Sequence, residues 1–244
     1  MKILSKNHAL KLVADYMDYD ISKVEDDYKR IEQYINLKSR QTDIRVEHHK
    51  YCGYEYLLGA VSCYFDYSSS VLNVLSHKLD CFNDVHSILD VAAGCGFTTL
   101  HLLKLFPNTI MYYNNLKDSL QWSFAKSFLK QDNVKFVDEN NVMNLDANID
   151  MIFACDFYEH IETPVAHVKS LLSNLKPKFF IVANAFRLQH PDHLERFLVE
   201  NIPVSNTKIG RVFNDKIREL DYKMDDVTKG FWNRRPTVWR RDNV

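Results

Sequence analysis

Two stretches of this 244-residue chain carry side chains whose types and spacing suit chemistry. The first runs Ser87-Ile-Leu-Asp90-Val-Ala92-Ala-Gly94-Cys-Gly96-Phe-Thr98-Thr-Leu100. A short apolar run ends in an acid, small residues follow as a turn, and Thr98 is placed to cap a helix. The apolar positions of that helix, Leu102, Leu103 and Phe106, fall on one face. Strand, tight turn and helix start together make a nucleotide-type crevice: small residues let the backbone approach a ligand, and the free N–H groups of the helix attract a carboxylate or phosphate. The chain has only six glycines, so two of them two residues apart at 94 and 96 carry weight. Ala92 tolerates less than glycine, which predicts ordinary backbone angles at the first position of the turn. The second stretch is Asp150 to Pro164, with Asp156, Tyr158, Glu159 and His160, and farther on come His190 and His193. Carboxylates and imidazoles take up and release protons, and open α/β sheets bind ligands at the carboxyl ends of their strands. His160 is the candidate base, against the plainer alternative of a loop anchor.

These residues need elements to position them. The first eighty residues are expected to be helical. Leu10, Val13, Ala14 and Met17 share a face, Ser22-x-x-Glu25 has capping-box spacing, and Val24, Tyr28, Ile31 and Ile35 continue at helical intervals. A polar connection over 38–50 contains His48 and His49, residues of a kind usually found on surfaces. Tyr54 to Leu79 follows as one or two apolar helices broken around Asp66 to Ser70. From Val85 strands and helices alternate, the signature of a parallel sheet with crossovers. Strands are expected at 87–91, 109–113, 134–137, 150–155 and 179–183. Helices are expected at 116–130, from Thr163-Pro164 to Leu175, and over Pro191 to Glu200. The tail, 222–231 and 236–241, is expected to form a strand pair. The division is residues 1–80 as a helical lid over the substrate site and 81–244 as the ligand-binding domain.

Composition narrows the function. The chain is 46% hydrophobic and 26% charged, an ordinary globular balance. A net charge of −1 argues against a strongly basic nucleic-acid surface. The longest apolar runs, such as Phe179 to Ala183, are too short to cross a membrane. Lys2, Lys6, His8 and Lys11 make the start unlike a signal peptide. Five cysteines without CxxC spacing suit reduced thiols in a cytoplasmic protein. The basic Arg234-Arg235 and Arg240-Arg241 fit solvated charges on an edge strand. Tyr51, Tyr54 and Tyr56 suit either core packing or a cover for a flat acceptor.

The Asp90 stretch resembles the first motif of class I S-adenosylmethionine-dependent methyltransferases, with Ala92 in place of the first glycine. A second segment, Asp150 to Pro164 followed by a helix and Leu175-Lys-Pro177, is similar to the fourth-strand region of that family. The resemblance covers roughly residues 85 to 241. It implies a Rossmann-like α/β fold: a seven-stranded, mostly parallel sheet with flanking helices and a C-terminal antiparallel hairpin. It also implies S-adenosyl-L-methionine as cofactor, held around Asp90, Ala92, Gly94 and Gly96, with Cys155 at the end of the fourth strand. The family's ribose-binding acid falls on Asn114, beside Asn115, and an amide lacks the charge-assisted bonds of a carboxylate. Asp138 or Asn140 is expected near the adenine. Asp156-x-x-Glu159-His160 with the later His193 also resembles the cation-binding pattern of the small-RNA 3′-terminal 2′-O-methyltransferases and the ubiquinone-pathway O-methyltransferases. By that resemblance Asp156, Glu159, His160 and His193 would hold Mg²⁺, Mn²⁺ or Zn²⁺, with Asp156 one methylene shorter than the family's Glu. The function implied is methyl transfer to a small-molecule or glycan-type acceptor, at oxygen rather than nitrogen. The alternatives are a catalytically silent binding subunit, favoured by Asn114 and Ala92, and a nicotinamide-dependent oxidoreductase, disfavoured by the missing third glycine at Thr99.

Overall fold

The computed structural model describes residues 4–38, 53–188, 193–225 and 236–242. The sequence features at His48, His49, Tyr51, His190, Arg234 and Arg235 lie outside the described residues.

The chain opens with helices α1 (Lys6–Met17), α2 (Ile21–Lys38) and α3 (Tyr54–Cys63). A π-helical turn, Tyr64–Ser68, leads straight on into α4 (Ser69–Ser76). Strands and helices then alternate: β1 (Ser87–Val91), α5 (Phe97–Leu105), β2 (Ile110–Asn115), α6 (Leu120–Phe128), β3 (Val134–Asp138), β4 (Met151–Cys155), α7 (Pro164–Leu175) and β5 (Phe179–Ala183). The remainder is β6 (Arg196–Val199), β7 (Ile202–Ser205), α8 (Asn206–Arg218), β8 (Tyr222–Asp225) and β9 (Thr237–Arg241).

Seven strands form one sheet in the order β3-β2-β1-β4-β5-β9-β8. The first five run parallel, β9 is antiparallel to β5, and β8 pairs antiparallel with β9. The register aligns Asp90 with Phe153, Asn115 with Asp138 and Cys155 with Ala183, so the carboxyl ends of the parallel strands lie level along one edge. β1 and β5 are buried along their whole length, as a central parallel strand covered on both faces must be. The face carrying Ile88, Met151 and Phe179 packs on α1 to α6 through Leu10, Val24, Leu57, Leu72 and Phe124. The other carries Leu89, Ile152 and Phe180 and packs on α7 and α8 through Val168, Leu172 and Phe213. The N-terminal helices thus share a core with the sheet, and a buried bond of 2.8 Å between the Tyr64 hydroxyl and His101 Nδ1 ties the π turn to α5.

Several local expectations change. No helix forms over Pro191 to Glu200 among the described residues; β6 and β7 pair there as a hairpin. Glu200 and Asn201 at its tip both have positive φ, 51° and 65°, as tight two-residue hairpins require, and Phe197 is wholly buried. The helix comes later as α8, whose Ile209, Phe213 and Ile217 are buried at four-residue spacing. Asp20, rather than Ser22, caps α2: its carboxylate accepts the Ser22 N–H at 2.8 Å and the hydroxyl at 2.6 Å. The helix expected from 116 begins at Leu120, where the Ser119 hydroxyl accepts the Trp122 N–H. Thr163 makes no side-chain cap, so Pro164 alone marks the start of α7. The break expected around Asp66 to Ser70 is the π turn, which inserts a residue without ending the helix.

Candidate active site

The turn after β1 is built from left-handed residues at alternate positions: Ala92 at φ 52°, Gly94 at 53° and Gly96 at 81°. The expectation of ordinary angles at Ala92 is therefore corrected. A non-glycine residue pays on the order of 1–2 kcal/mol for that conformation. It is held by the Ala92 N–H donating to Asn114 Oδ1 at 3.3 Å, and the next N–H, of Ala93, donating to the Asn114 carbonyl at 2.9 Å. The two glycines have separate reasons. At Gly94 nothing lies within 4 Å of where a Cβ would stand, so open space adjoins the loop there. At Gly96 a Cβ would come within 3.0 Å of Leu129 and 3.1 Å of Ala125, so that glycine lets the loop sit against the end of α6.

Asp90 is 1% exposed, and its Oδ2 accepts the hydroxyls of Thr98 at 2.8 Å and Thr99 at 2.6 Å. Thr98 is thus not the helix cap; Gly96 occupies that position without a side-chain bond. Burial pushes the Asp90 carboxyl up to about 7, against the two threonine hydroxyls, which favour its charged form.

Asn114 is also buried, and beyond its contact with Ala92 its Nδ2 donates to the Val137 carbonyl at 3.0 Å. Its amide stitches β1, β2 and β3 together. Asn115 is half-buried at the end of β2 and turns to the glycine loop, donating to the Gly94 carbonyl at 2.9 Å. Tyr113 donates to the same carbonyl at 2.6 Å. Level with Asn115, Asp138 accepts the N–H groups of Asn140 and Asn141, each at 3.0 Å, while Asn140 is exposed.

Beyond β4 the second group assembles. Asp156 has φ 56° and donates its N–H to the Ala183 carbonyl at 3.0 Å, which aims its side chain out from the strand end. Ligand atoms of Asp156, His160 and His193 all lie within 4.8 Å of one another. Asp156 Oδ1 stands 3.7 Å from His160 Nε2, and the His160 and His193 rings meet edge to face with centroids 4.9 Å apart. His193 Nδ1 is 3.0 Å from the Leu188 carbonyl, which can only accept, so Nδ1 carries a proton and Nε2 is the nitrogen turned to the group. Burial alone would raise the Asp156 carboxyl, but bonds from His160 and Cys63 and the charges of both histidines hold it below its usual range.

Glu159, the fourth member of the sequence pattern, is not brought into that group. It is fully buried, its Oε1 accepts the Ala185 N–H at 2.6 Å, and its backbone carbonyl accepts the Leu194 N–H at 3.0 Å. It ties the loop after β4 to the loop after β5 and to the segment bearing His193. Burial, with the charge of Asp156 adding to it, pushes its carboxyl up to about 7. Tyr158 is wholly buried among aromatic rings and belongs to the core.

Sequence spacing gave no sign of the thiol that the N-terminal helices bring to Asp156. Cys63, 93 positions from Asp156, donates its thiol to Asp156 Oδ2 at 3.0 Å. Cys155 Sγ lies 3.7 Å from the Ser68 hydroxyl, and the Tyr56 side chain bonds Gln121 of α6. Only contact across the tertiary fold reveals these partners. A surface groove of about 430 Å³ bordered by Arg196, Pro203, Val204, Ser205 and Lys208 contains none of the candidate-site residues. Among the described residues no helix is long and apolar enough to cross a membrane.

No protein-family model matches the sequence, and no curated protein matches it. Solved structures do resemble the fold. An O-methyltransferase family protein from Burkholderia thailandensis superposes with a TM-score of 0.59 at 13% identity, over 92% of this chain and 72% of that one. The S-adenosylmethionine-dependent methyltransferase SibL, in its apo form, gives 0.53 at 15% identity, over 96% and 74%. The mitomycin 7-O-methyltransferase MmcR gives 0.52 at 10% identity, over 87% and 67%. With the strand order and the left-handed loop after β1, these likenesses show that the chain has the Rossmann-like fold of class I S-adenosylmethionine-dependent methyltransferases.

Proposed function

We propose that the protein transfers a methyl group from S-adenosyl-L-methionine to a hydroxyl of a small-molecule or glycan-type acceptor. The observation that carries this reading is the convergence of Asp156, His160 and His193 at a strand end beside the glycine loop, under the N-terminal helices. The loop suits the cofactor, since the open space at Gly94 is the approach a Cβ would block. In this reading the Asp90–Gly96 turn holds the cofactor by its backbone. Asn115, half-buried beside Gly94, is the asparagine that would meet the ribose, and Asp138, level with it, and Asn140 after it would lie on the adenine side. The bound cofactor supplies an electrophilic methyl, so the chain's own work is to align the acceptor.

The Asp156, His160 and His193 set suits a divalent cation: one carboxylate, two imidazoles, and at His193 a backbone carbonyl fixing the tautomer from behind. A cation there would acidify a bound hydroxyl, which is why oxygen is the favoured acceptor atom. Glu159 holds the two loops in place rather than touching the acceptor. The helices before β1 serve as the lid, with residues 1–80 covering the 81–244 domain. A second reading, a silent binding subunit, draws support from Asn114, the position of the family's ribose-binding acid, whose buried amide is engaged by the Ala92 N–H and the Val137 carbonyl.

Calorimetry with S-adenosylhomocysteine, followed by labelled-methyl transfer to a panel of hydroxyl acceptors with and without chelator, tests the proposal. The expected outcome is micromolar binding and transfer that chelator abolishes and one divalent cation restores. Binding of a nicotinamide cofactor in its place would sink the proposal. Full transfer in chelator would remove the cation and leave His160, paired with Asp156, as the base. Binding with no transfer to any acceptor would favour the silent subunit.

A further inference from the structure

One face of α3 is packed into the core and the other meets the candidate site. Leu57, Leu58 and Val61 are wholly buried and fix the helix in place, whereas Tyr56, Gly59 and Ala60 are half-buried and Cys63 is exposed. At about 100° per residue, positions 56, 59 and 63 fall within roughly 60° of one another, spread over roughly 10 Å of helix. Both ends of that face are anchored. The Cys63 thiol donates to Asp156 Oδ2 at 3.0 Å. The Tyr56 side chain bonds Gln121. The Tyr113 hydroxyl lies 2.6 Å from the Gly94 carbonyl and 3.5 Å from that of Gln121, which sets Gln121 beside the glycine loop. The helix therefore stands a phenol's length from its opposite wall at Tyr56 and a thiol's length at Cys63. Between the two, a Cβ added at Gly59 would meet nothing within 4 Å, the same openness found at Gly94. The strand ends also carry an open hydrogen-bond acceptor. Asn184, next after the Ala183 whose carbonyl takes the Asp156 N–H, buries an Oδ1 that has no partner. A buried acceptor left unpaired is costly unless a ligand's donor reaches it.

We propose that the space under Gly59 is the subsite for the body of the methyl acceptor, a slot that takes a ring-sized group between the fixed roof of α3 and the strand ends, with Tyr56 at its cofactor end and Cys63 at its Asp156 end. The inference rests on the methyl-transfer reading and adds where the acceptor lies. A methyl carried by a cofactor in the Asp90–Gly96 turn has to reach an oxygen at the Asp156 group, and residue 59 stands midway between the two anchors of the helix. The roof is already formed, so the acceptor enters a slot that exists beforehand. Glycine in a helix interior is less stable than alanine, so helix stability does not account for the missing side chain. A larger residue there would fill the slot while touching nothing of the fold.

The test needs no known acceptor. A stable analogue of S-adenosylmethionine, with an amine nitrogen in place of the sulfonium, is made in two forms that carry a methyl or a benzyl group on that nitrogen. The benzyl group extends from the cofactor site toward the acceptor. By calorimetry the full, unmodified chain should bind the benzyl form no more than about threefold more weakly than the methyl form. Gly59→Leu should fold normally by circular dichroism and hold the methyl form within about threefold, but bind the benzyl form at least about 30-fold more weakly. Gly59→Ala should keep the methyl form and unfold at a higher urea concentration than the unmodified chain. An unmodified chain that binds the methyl form and refuses the benzyl form would overturn the inference and leave the methyl-transfer reading standing. Gly59→Leu binding both forms as the unmodified chain does would also overturn it. So would a Gly59→Leu chain that does not fold or a lower urea midpoint for Gly59→Ala, since either would mean that the space is already filled. Binding of neither form by the unmodified chain would overturn the inference together with the reading beneath it.

Discussion

The turns after β1 and β4 begin alike and end differently. Each leaves a buried parallel strand, each carries an aspartate, and each bends through a non-glycine residue in the left-handed region, Ala92 and Asp156. At the end of β1 the aspartate, Asp90, is turned inward, to two threonine hydroxyls, and the loop has open space beside Gly94. After β4 the left-handed residue is itself the aspartate, so the bend that tightens the backbone also aims the carboxylate at two imidazoles and a thiol. The first is a backbone site whose side chains serve the fold. The second is a side-chain site whose backbone serves the fold. Acids in the two places consequently have opposite electrostatics: burial raises Asp90, and its neighbours lower Asp156.

The comparison breaks most sharply at the glycines. Gly94→Val places a branched side chain in the open approach at a left-handed position, and S-adenosylhomocysteine affinity should fall by about 100-fold or more while the fold survives. Gly96→Ala meets Leu129 and Ala125 instead; overpacking should cost about 1–3 kcal/mol in denaturant unfolding, with affinity nearly unchanged in the folded fraction. If the two variants exchange these effects, the loop does not face its ligand at Gly94.

The asparagines give the next largest effect. Asn114→Asp removes the donor to the Val137 carbonyl and places an acid between three strands, so stability should drop by about 1–3 kcal/mol. Asn115→Asp, at a half-buried position, should cost less. Measured by urea midpoints and by calorimetry with the cofactor product, tighter binding in Asn114→Asp without lost stability would put the ribose against residue 114 and undo the distinction.

The difference between the two acids shows as a slope with pH. The Asp90 carboxyl titrates near 7 in the fold and near 4 when unfolded, so the folded chain binds the extra proton between those values. Its contribution is present in full below the unfolded value and is lost as pH rises, by about 1.4 kcal/mol per unit across pH 4 to 7. Asp90→Asn should therefore gain on the unmodified chain steadily between pH 5 and 7 in urea unfolding. Glu159 shifts the same way in both proteins and cancels. A difference that stays constant with pH would mean that Asp90 is ionised in the fold.

Much of the architecture follows from local sequence. The five parallel strands are apolar runs set between turn signals, and 87–91 and 179–183 appear where the pattern puts them. Gly94 and Gly96 are legible because glycine is the residue for which left-handed backbone is cheap. The hairpin of β6 and β7 is less so: Leu194, Phe197 and Leu198 fit a helical face, and the turn at Glu200 and Asn201 uses left-handed residues that carry no glycine mark. The site divides in the same way. Asp156, His160 and His193 could be nominated from spacing, since His160 follows Asp156 by one helical turn's distance and strand ends collect functional residues. Whether Glu159 joins them depends on which way one side chain turns as the chain leaves β4, and the Ala185 N–H decided it. Cys63 lies 93 residues from its partner, on a helix whose sequence reads as ordinary core, and only packing of that helix over the strand ends put sulfur beside the carboxylate. Sequence determined the strands, the glycine loop and the chemical types available. Tertiary structure decided which of those groups face a ligand and which face the fold, because a side chain's direction is set by neighbours that are distant along the chain.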